Sequence, residues 1–407
     1  MHRSALLAAT AMLGACATTS PPDALLVPPV TTEAASAPAA TVAPADQAAA
    51  LKQFFEEYDR AELALSPISK AYRGIKDGDY GRLDEFGEEA ALRNRQLDQK
   101  FADEMVRRFD RDSLSAEDQL SYDLLLYRNE RFASIFPYRY GGYVFDQMNG
   151  AQADIPAFLI NIHKVENEED ARNYISRIRA SASYLDQAIA EAKAREKAGT
   201  LPPKWVFSQV IEQSQNLIRG APFDNGPDND LFADFKKKVD ALNITDSSKD
   251  ALVAEARRAL VEEMGPAYQR VIATLRDQEK RAGTDDGIWR LPNGAAMYQA
   301  LLGYYTTTDL TPDQVHELGL AQVARIHGEM EAIKRQVGFS GTLQQFFAHV
   351  RDSDRFYYPD TPAGRQRYID ESLKAQQEAE TALPRFFGRL PKTELLIKAV
   401  EPFREKS

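Results

Sequence analysis

Apolar residues recur at helical spacing along most of this chain. Residues 169–197 carry one apolar stripe at spacings of three, four and seven, formed by Tyr174, Ile175, Ile178, Leu185 and Ile189. The stretch 247–281 has a similar long pattern, and the Gly265-Pro266 pair within it predicts a kink or a break. Both patterns predict long helices, each with one face turned toward a core.

Polar residues mark where several helices begin. Ser115 stands before Ala116-Glu117-Asp118, so its side chain can cap a helix whose first turn is acidic. The run Thr311-Pro312-Asp313-Gln314 combines a capping threonine, a proline at the first helical position and a glutamine at the third, which predicts a capping box. A further helix is expected from about Pro362 to Leu383.

Strand signals are sparse. Residues 136–145 (FPYRYGGYVF) alternate aromatic residues, and they fit either one short strand or an aromatic loop. We expect well over half of the chain to be helical, against a typical fraction of about one third. The predicted fold class is all-α, built mostly of long antiparallel helices with at most one minor β element.

The N-terminus has the pattern of an export signal. Residues 4–15 (SALLAATAMLGA) are apolar and follow His2 and Arg3, and this run is too short to span a membrane. Leu13-Gly14-Ala15-Cys16 resembles the bacterial lipobox, in which the cysteine becomes the lipid-modified first residue of the mature chain. Cys16 is the single cysteine, which excludes an intrachain disulfide.

These features predict three segments. Residues 1–15 are the expected signal peptide, and Cys16 is the expected lipid anchor to the membrane. Residues 16–46, rich in Pro, Ala and Thr, predict an extended tether. Residues 47–407 are the expected helical domain, incomplete at its C-terminus. Because Ala17 and not Asp follows the cysteine, the lipobox resemblance implies the periplasmic face of the outer membrane.

The charge distribution argues against a nucleic-acid partner. The net charge of −11 is spread over the whole length, whereas phosphate binding needs a basic face. The basic run Lys236-Lys237-Lys238 lies between Asp234 and Asp240, which favours a solvated helix face.

The histidines do not form a metal-binding pattern. His316-Glu317 matches the start of the zinc motif H-E-x-x-H, but Leu320 occupies the position of the second histidine. His327 follows His316 by eleven residues, about 16 Å along a helix, so the two cannot hold one zinc ion. His163 and His349 have no second ligand at suitable spacing. A metal site would require distant positions to come together, and no catalytic or metal-binding residue is assigned.

Aromatic residues are the remaining functional candidates. Tyr140 and Tyr143 flank Gly141-Gly142, and Tyr304 and Tyr305 precede three threonines. Packing in a core is one interpretation, because aromatic residues dominate cores of this size. The other is a wall of a substrate cleft that contacts an extended peptide.

Four segments carry a resemblance to a known family: LSAEDQLSYDLLLY (114–127), residues 169–189, residues 289–333 and residues 382–402. They resemble the bacterial domain-of-unknown-function family 885, whose members are often lipoproteins. The resemblance covers nearly everything after the tether and is most specific over 304–330. It implies a fold similar to helical zinc metallopeptidases of the thermolysin-like superclan.

The zinc motif implied by this resemblance, His-Glu-Ala-x-Pro-Gly-His-His, is expected beyond Ser407. No residue of the chain matches it, so no metal ligand or general base is carried over. Zinc is therefore expected in a full-length relative and not in this chain.

Two functional hypotheses follow. In the first, these residues are the N-terminal helical part of an exported, membrane-tethered zinc metallopeptidase-like protein, and they form walls of the substrate cleft without the metal site. In the second, the chain is a non-catalytic helical lipoprotein that binds peptides or a partner in the cell envelope. Either hypothesis predicts contact with the membrane through the lipid anchor.

Overall fold

Helices account for 71% of the residues that the computed structural model describes, which are 47–397 and 399–400. The α-helices in this part of the chain are α1 (Gln47–Ala64), α2 (Pro67–Tyr72), α3 (Glu88–Arg108), α4 (Ala116–Ile135), α5 (Ala151–Asn161), α6 (Glu168–Lys197), α7 (Lys204–Asn216), α8 (Asp230–Asp240), α9 (Asp246–Ala259), α10 (Gly265–Glu279), α11 (Gly294–Thr306), α12 (Pro312–Gln336), α13 (Leu343–Asp352) and α14 (Pro362–Ala382). An isolated bridge between Ala221 and Asp228 is the β-type pairing among these residues. The all-α prediction is confirmed.

The 30-residue helix α6 lies at the centre of the larger hydrophobic core. The predicted apolar stripe of this helix is buried, from Tyr174 to Ile189. Helices α5, α8, α9 and α10 pack against α6, and α7 packs against α5 and α10. Burial of this stripe, more than helix propensity, accounts for the stability of such a long helix.

Helices α9 and α10 form one rod that is interrupted by a π-helical turn at Leu260–Met264. The predicted break at Gly265-Pro266 therefore occurs as a wider turn just before this pair. A Cβ atom at Gly265 would approach the ring of Phe223 to 3.2 Å, so the small residue permits the close packing.

A second hydrophobic core lies between α1, α3 and α4. Phe54 is fully buried there, with its ring 5.5 Å from Phe101 and 5.6 Å from Phe109 in edge-on arrangements. Such aromatic pairs stabilise a core beyond the area that they bury.

The predicted helix starts are confirmed. The Ser115 side chain accepts a hydrogen bond from the backbone N–H of Asp118, and Thr311 forms a reciprocal capping box with Gln314. Helix α14 begins at Pro362 and is capped by Thr361.

Two local expectations need correction or refinement. Residues 136–145 form no strand, because Phe136–Gly141 is a 3-10 helix, so the aromatic-loop alternative is the correct one. The lysine run lies on α8, but it is not uniformly solvated. Lys238 donates hydrogen bonds to the backbone carbonyls of Leu159 and Ile160, at 2.8 and 3.0 Å, and thereby caps the end of α5.

Burial falls sharply after α11 begins. Among the described residues after Met297, the buried ones are Lys334 and Gly364. None of the described helices combines the length and the apolar character that a membrane span requires. Cys16, the signal peptide and the tether fall outside the described residues.

Candidate functional site

Tyr140 lies in the 3-10 helix that follows α4, beside a charged pair. Arg139 binds the carboxylate of Glu88 at 2.7 Å, and its guanidinium lies 5.0 Å from the centre of the Tyr140 ring. Burial, and then the hydrogen bond with Glu88, raise the pKa of the Tyr140 hydroxyl, whereas Arg139 lowers the pKa of Glu88. The structure thus places Tyr140 next to the first turn of α3.

The side chain of Tyr143 contacts a different part of the fold from that of Tyr140. Its hydroxyl accepts a hydrogen bond of 2.6 Å from Nη2 of Arg290, which also donates to the carbonyl of Leu201. Tyr143 lines a recess of about 10 Å³, room for roughly one water molecule. This environment is that of a packing residue.

Tyr304 and Tyr305 lie in the last turns of α11, with ring centres 5.2 Å apart. Tyr305 is 77% exposed. The loop with Tyr140 contacts α11 through Gly141, whose missing Cβ leaves room for the side chain of Met297. Met297 lies seven residues, about two turns, before Tyr304 on the same helix.

An open groove instead follows the first half of α3. It consists of two adjoining recesses of about 430 and 560 Å³, which share Glu85, Ala90 and Arg93. The first recess lies between α3 and the segment that joins α1 to α3. The second lies between α3 and α6, where Gln187 and Glu191 line it. Glu88, the partner of Tyr140, also lines the second recess, so one of the predicted cleft tyrosines adjoins this groove.

The floor of the groove is tied to α6 by a buried arginine. Arg177 Nε donates to the carbonyl of Arg82 at 2.9 Å, and Nη2 donates to the carbonyl of Pro67 at 3.4 Å. The backbone N–H of Phe86 donates to the side chain of Gln187 at 2.9 Å. Three anchors to one rigid helix fix the position of the segment before α3.

Arg177 and His163 form a fully buried pair below this floor. Arg177 Nη1 lies 2.7 Å from His163 Nδ1, and His163 Nε2 lies 3.0 Å from the carbonyl of Asp170. Because the guanidinium can only donate, Nδ1 accepts and Nε2–H donates. Burial, and then the charge of Arg177, lower the pKa of His163 to about 3, which keeps the imidazole neutral.

The guanidinium of Arg177 remains charged despite its burial. Burial lowers its pKa to about 10, still well above neutral pH. The rings of Tyr80 and Phe158 lie 4.9 and 4.7 Å from its central carbon, so cation–π contacts and carbonyl oxygens replace the lost water.

Carboxylates predominate along the groove, but most are paired from outside it. Glu88 binds Arg139, Glu191 binds Arg195 at 2.8 Å, and Glu62 binds Arg128 at 2.6 Å. Arg93, inside the groove, pairs with Glu85. The surface is therefore polar with both signs of charge, and it offers donors and acceptors along its length.

A buried tyrosine, Tyr58, lies behind the end of the groove near α1 and binds the lining residue Asp98. The hydroxyl of Tyr58 donates to Asp98 at 2.6 Å, and Arg128 contacts the same hydroxyl and Glu62. Burial, and then the hydrogen bond to Asp98, raise the pKa of Tyr58 well above its usual range. This hydroxyl stays protonated and serves as a fixed donor.

The side chains that line the groove are mostly hydrogen-bonding groups. No histidine or cysteine is among the residues that line its two recesses. The hydroxyl of Ser66 caps α2 and donates to Asp84 at 2.6 Å, so it is used in local structure. A serine or cysteine nucleophile with a neighbouring base, as acyl transfer requires, is not formed there.

The described residues do not fit the zinc site that the family resemblance implies. His163 uses both ring nitrogens inside the core. His316 and His327 are exposed on one helix, and His349 stacks on Phe339 at 5.4 Å. Within residues 47–397 and 399–400, no group of three or more metal-ligating side chains is present.

Sequence reasoning missed the groove and the arginine below it. Arg177 lies between Ile175 and Ile178 in the apolar stripe of α6. The sequence did contain one signal for this site, a charged residue on a core-facing stripe. A buried charge requires dedicated partners. Two of the partners of Arg177, the carbonyls of Arg82 and Pro67, lie 95 and 110 residues earlier in the segment before α3, and no local pattern identifies them.

The sequence matches one family model, and the fold resembles a solved structure. The model of the family described as "Bacterial protein of unknown function (DUF885)" matches residues 67–407. A crystal structure of a protein from Colwellia psychrerythraea, provisionally assigned as a lipoprotein, has a similar fold with a TM-score of 0.75 and 21% sequence identity. The similarity covers 87% of this chain and 62% of that one. No curated protein matches the chain.

Proposed function

The chain belongs to the DUF885 family of bacterial proteins, and we propose that it forms the helical, peptide-binding part of an exported, lipid-anchored protein of the zinc-metallopeptidase-like kind. In this proposal the described residues supply walls of the substrate cleft. The catalytic groups belong to the remainder of the family fold, since this chain spans 62% of the length of the solved Colwellia protein.

The groove along α3 is the observation that carries the proposal. Its lining runs from Glu88 to Asp98 on α3, about 15 Å at the rise of an α-helix. That length accommodates roughly four or five residues of an extended peptide. An extended peptide presents unpaired N–H and C=O groups, and the carboxylates, arginines and Asn94 of the groove can satisfy them.

The residues of the chain would bind and orient a peptide without acting on it. The anchored floor limits the loss of conformational freedom on binding, because Arg177 already holds the backbone at Pro67 and Arg82. Zinc, held elsewhere in the family fold, would supply the polarisation of the scissile carbonyl.

Lipid anchoring at Cys16 is part of the same proposal. The apolar run 4–15 and the lipobox-like Leu13-Gly14-Ala15-Cys16 support it. Metabolic labelling with a radioactive fatty acid should mark the wild-type protein in its bacterial host and leave Cys16→Ser unmarked. Equal labelling of the two proteins would contradict anchoring at this cysteine.

The test uses the full-length gene product, purified from its bacterial host. We expect bound zinc by elemental analysis and hydrolysis of fluorogenic casein that a chelator abolishes. Substitutions in the groove should raise KM without removing zinc. A zinc-free product without hydrolysis would overturn the peptidase-like assignment.

A second candidate is a non-catalytic lipoprotein that binds peptides or an envelope partner. It is favoured by the groove itself, whose lining residues offer hydrogen bonds and no nucleophile–base pair. The experiment above distinguishes the two candidate functions. Peptide binding without hydrolysis supports the second, whereas zinc-dependent hydrolysis supports the first.

A further inference from the structure

Arg131 on α4 is a half-buried arginine without an acidic partner. Its Nε is buried and forms no hydrogen bond, and no carboxylate of the described residues, 47–397 and 399–400, forms an ion pair with its guanidinium. The ring of Tyr127, one turn earlier on α4, lies 5.0 Å from its central carbon. Contact with an aromatic ring occupies one side of a guanidinium and leaves its terminal N–H groups for a planar anion such as a carboxylate.

The residue of α11 that faces this guanidinium is a glycine. A Cβ atom at Gly303 would lie 3.5 Å from Nη1 of Arg131 and 3.7 Å from the carbonyl oxygen of Thr308. Both are ordinary van der Waals distances, so the packing of α4 on α11 does not require a glycine here. Glycine in a helix interior lowers the stability of the helix relative to alanine. What the missing side chain leaves is a gap bordered by a cationic donor and a carbonyl acceptor.

The chain turns back toward Gly303 at a strained residue. Thr307 ends α11 in the left-handed conformation, with φ 57° and ψ 27°, which a β-branched residue rarely adopts. Thr306 Oγ1 lies 2.8 Å from Thr308 Oγ1 and donates to the carbonyl of Leu302 at 2.7 Å, and these bonds hold the turn. Strain of this kind clusters at functional sites, where a defined geometry is needed.

The strained turn presents one acceptor toward the gap. The carbonyl oxygen of Thr308 receives no hydrogen bond from the residues that the structure describes. It lies no farther from Nη1 of Arg131 than the sum of the two distances measured from the Cβ position of Gly303. A ligand that bridges the gap therefore needs an anionic group at one end and an N–H group close to it at the other.

We propose that Arg131, Gly303 and Thr308 bind an acylated α-amino acid, either as a free molecule or as the C-terminal residue of a peptide. Such a residue carries a carboxylate and an N–H group on the same carbon atom. The carboxylate accepts from the guanidinium of Arg131, the N–H donates to the carbonyl of Thr308, and the carbon between them occupies the gap at Gly303.

A purely structural role explains less of this arrangement. A guanidinium beside the last turn of α11 opposes the helix dipole, which accounts for the charge of Arg131. It does not account for the glycine that faces the guanidinium or for the acceptor at Thr308. None of the three residues lines the groove along α3, so this inference goes beyond the proposed function and does not depend on it.

Isothermal titration calorimetry of the full-length protein tests the site with small probes. We expect N-acetyl-dialanine to bind saturably, and its C-terminal amide and N-acetylglutamic acid α-amide to bind at least about tenfold more weakly. The first of these weaker probes lacks the carboxylate, and the second carries it away from the N–H group. Equal affinity for either of them, or no saturable binding of N-acetyl-dialanine, would overturn the proposal. N-Acetylalanine distinguishes the two sources, since it binds as tightly as N-acetyl-dialanine only if a free acylated amino acid suffices.

Two substitutions separate binding from structure. Arg131→Gln should weaken N-acetyl-dialanine binding at least about tenfold, whereas Arg258→Gln, at an exposed position of α9, should not. Gly303→Leu should abolish binding by filling the gap, and it should leave the melting temperature unchanged or raise it, because leucine favours a helix interior. Wild-type affinity in Arg131→Gln or Gly303→Leu would contradict the site, and so would a lower melting temperature in Gly303→Leu. Ala90→Trp, which fills the α3 groove, should keep the wild-type affinity for this probe.

Discussion

The guanidinium of Arg177 donates a hydrogen bond of 2.7 Å to Nδ1 of His163, although both side chains are completely buried. The neutral imidazole therefore acts as the acceptor of a buried cation, a role more often filled by a carboxylate. The arrangement joins α6 to the segment before α3 through the carbonyls that Arg177 also contacts. The groove above depends on this connection.

Removing the buried guanidinium of Arg177 should lower the stability of the fold. We expect Arg177→Leu to lower the free energy of unfolding by about 3–5 kcal/mol, because carbonyls and an imidazole lose a charged donor inside the core. Arg179→Leu is the matched control, since Arg179 is 42% exposed and pairs with Glu255 and Glu263 at the surface. That change should cost less than about 1 kcal/mol. Urea unfolding measures both, and equal costs would contradict the structural role of Arg177.

The buried His163 should make the stability of the fold depend on pH. The pKa of His163 is about 3 in the fold and 6.5 in a free side chain, so the unfolded chain takes up the proton first as pH falls. The contribution of His163 to stability is complete above the unfolded-state pKa of 6.5. It is lost as the pH falls from 6.5 to about 3. At pH 5 the loss should be about 2 kcal/mol.

The variant that isolates this effect is His163→Gln, whose amide can accept from Arg177 and donate to Asp170 without titrating. Urea unfolding at pH 7.5 and pH 5 should show a smaller difference for this variant than for the wild type. His316→Gln, at an exposed position, should retain the wild-type difference. A wild-type slope in His163→Gln would exclude this residue as the source.

The three consecutive lysines should differ in their effect on stability. Lys238 donates to two carbonyls at the end of α5 and pairs with Asp234 at 2.7 Å, whereas Lys237 is exposed. We expect Lys238→Met to lower the melting temperature, at a cost of about 1–3 kcal/mol. Lys237→Met should leave it within experimental error. Thermal unfolding followed by circular dichroism compares the two.

Filling the groove should prevent peptide binding. Ala90 lines both recesses, so the indole of Ala90→Trp would occupy their junction. The affinity for fluorescein-labelled peptides from a casein digest should fall at least about tenfold, which corresponds to about 1.4 kcal/mol. Fluorescence anisotropy provides the measurement, with Ala116→Trp at the exposed start of α4 as the control. Unchanged affinity in Ala90→Trp, with an unchanged melting temperature, would place any peptide site elsewhere.

Local chemistry explains what the sequence could predict about the fold. A capping serine or threonine acts within three residues, so the helix starts marked by Ser115 and Thr311 were readable from the sequence. The apolar stripe of α6 was equally clear, since its period is a property of one helix. The aromatic alternation of 136–145 was misleading as a strand signal, because Pro137 and the two glycines of this segment favour a tight 3-10 turn.

The candidate site depended on contacts that no local pattern contains. The groove arises because α3 and α6, far apart in sequence, leave a gap whose floor is fixed by Arg177. The tyrosines were identified from their residue type alone, and only Tyr140 lies beside the groove. The lipid anchor at Cys16 and the zinc of a full-length relative stay predictions.

The π turn at Leu260–Met264 has a consequence for the register of the rod that contains it. Buried residues follow one another there at intervals of four: Leu252, Ala256, Leu260, Met264, Tyr268 and Ile272. In an uninterrupted α-helix each such interval would rotate the next side chain by about 40°, so the apolar face would wind away from α6. A π turn holds one residue more than an α turn and absorbs about 100° of that rotation. Deleting Val261 would straighten the rod while turning the apolar side chains of α10 away from the core that they now fill.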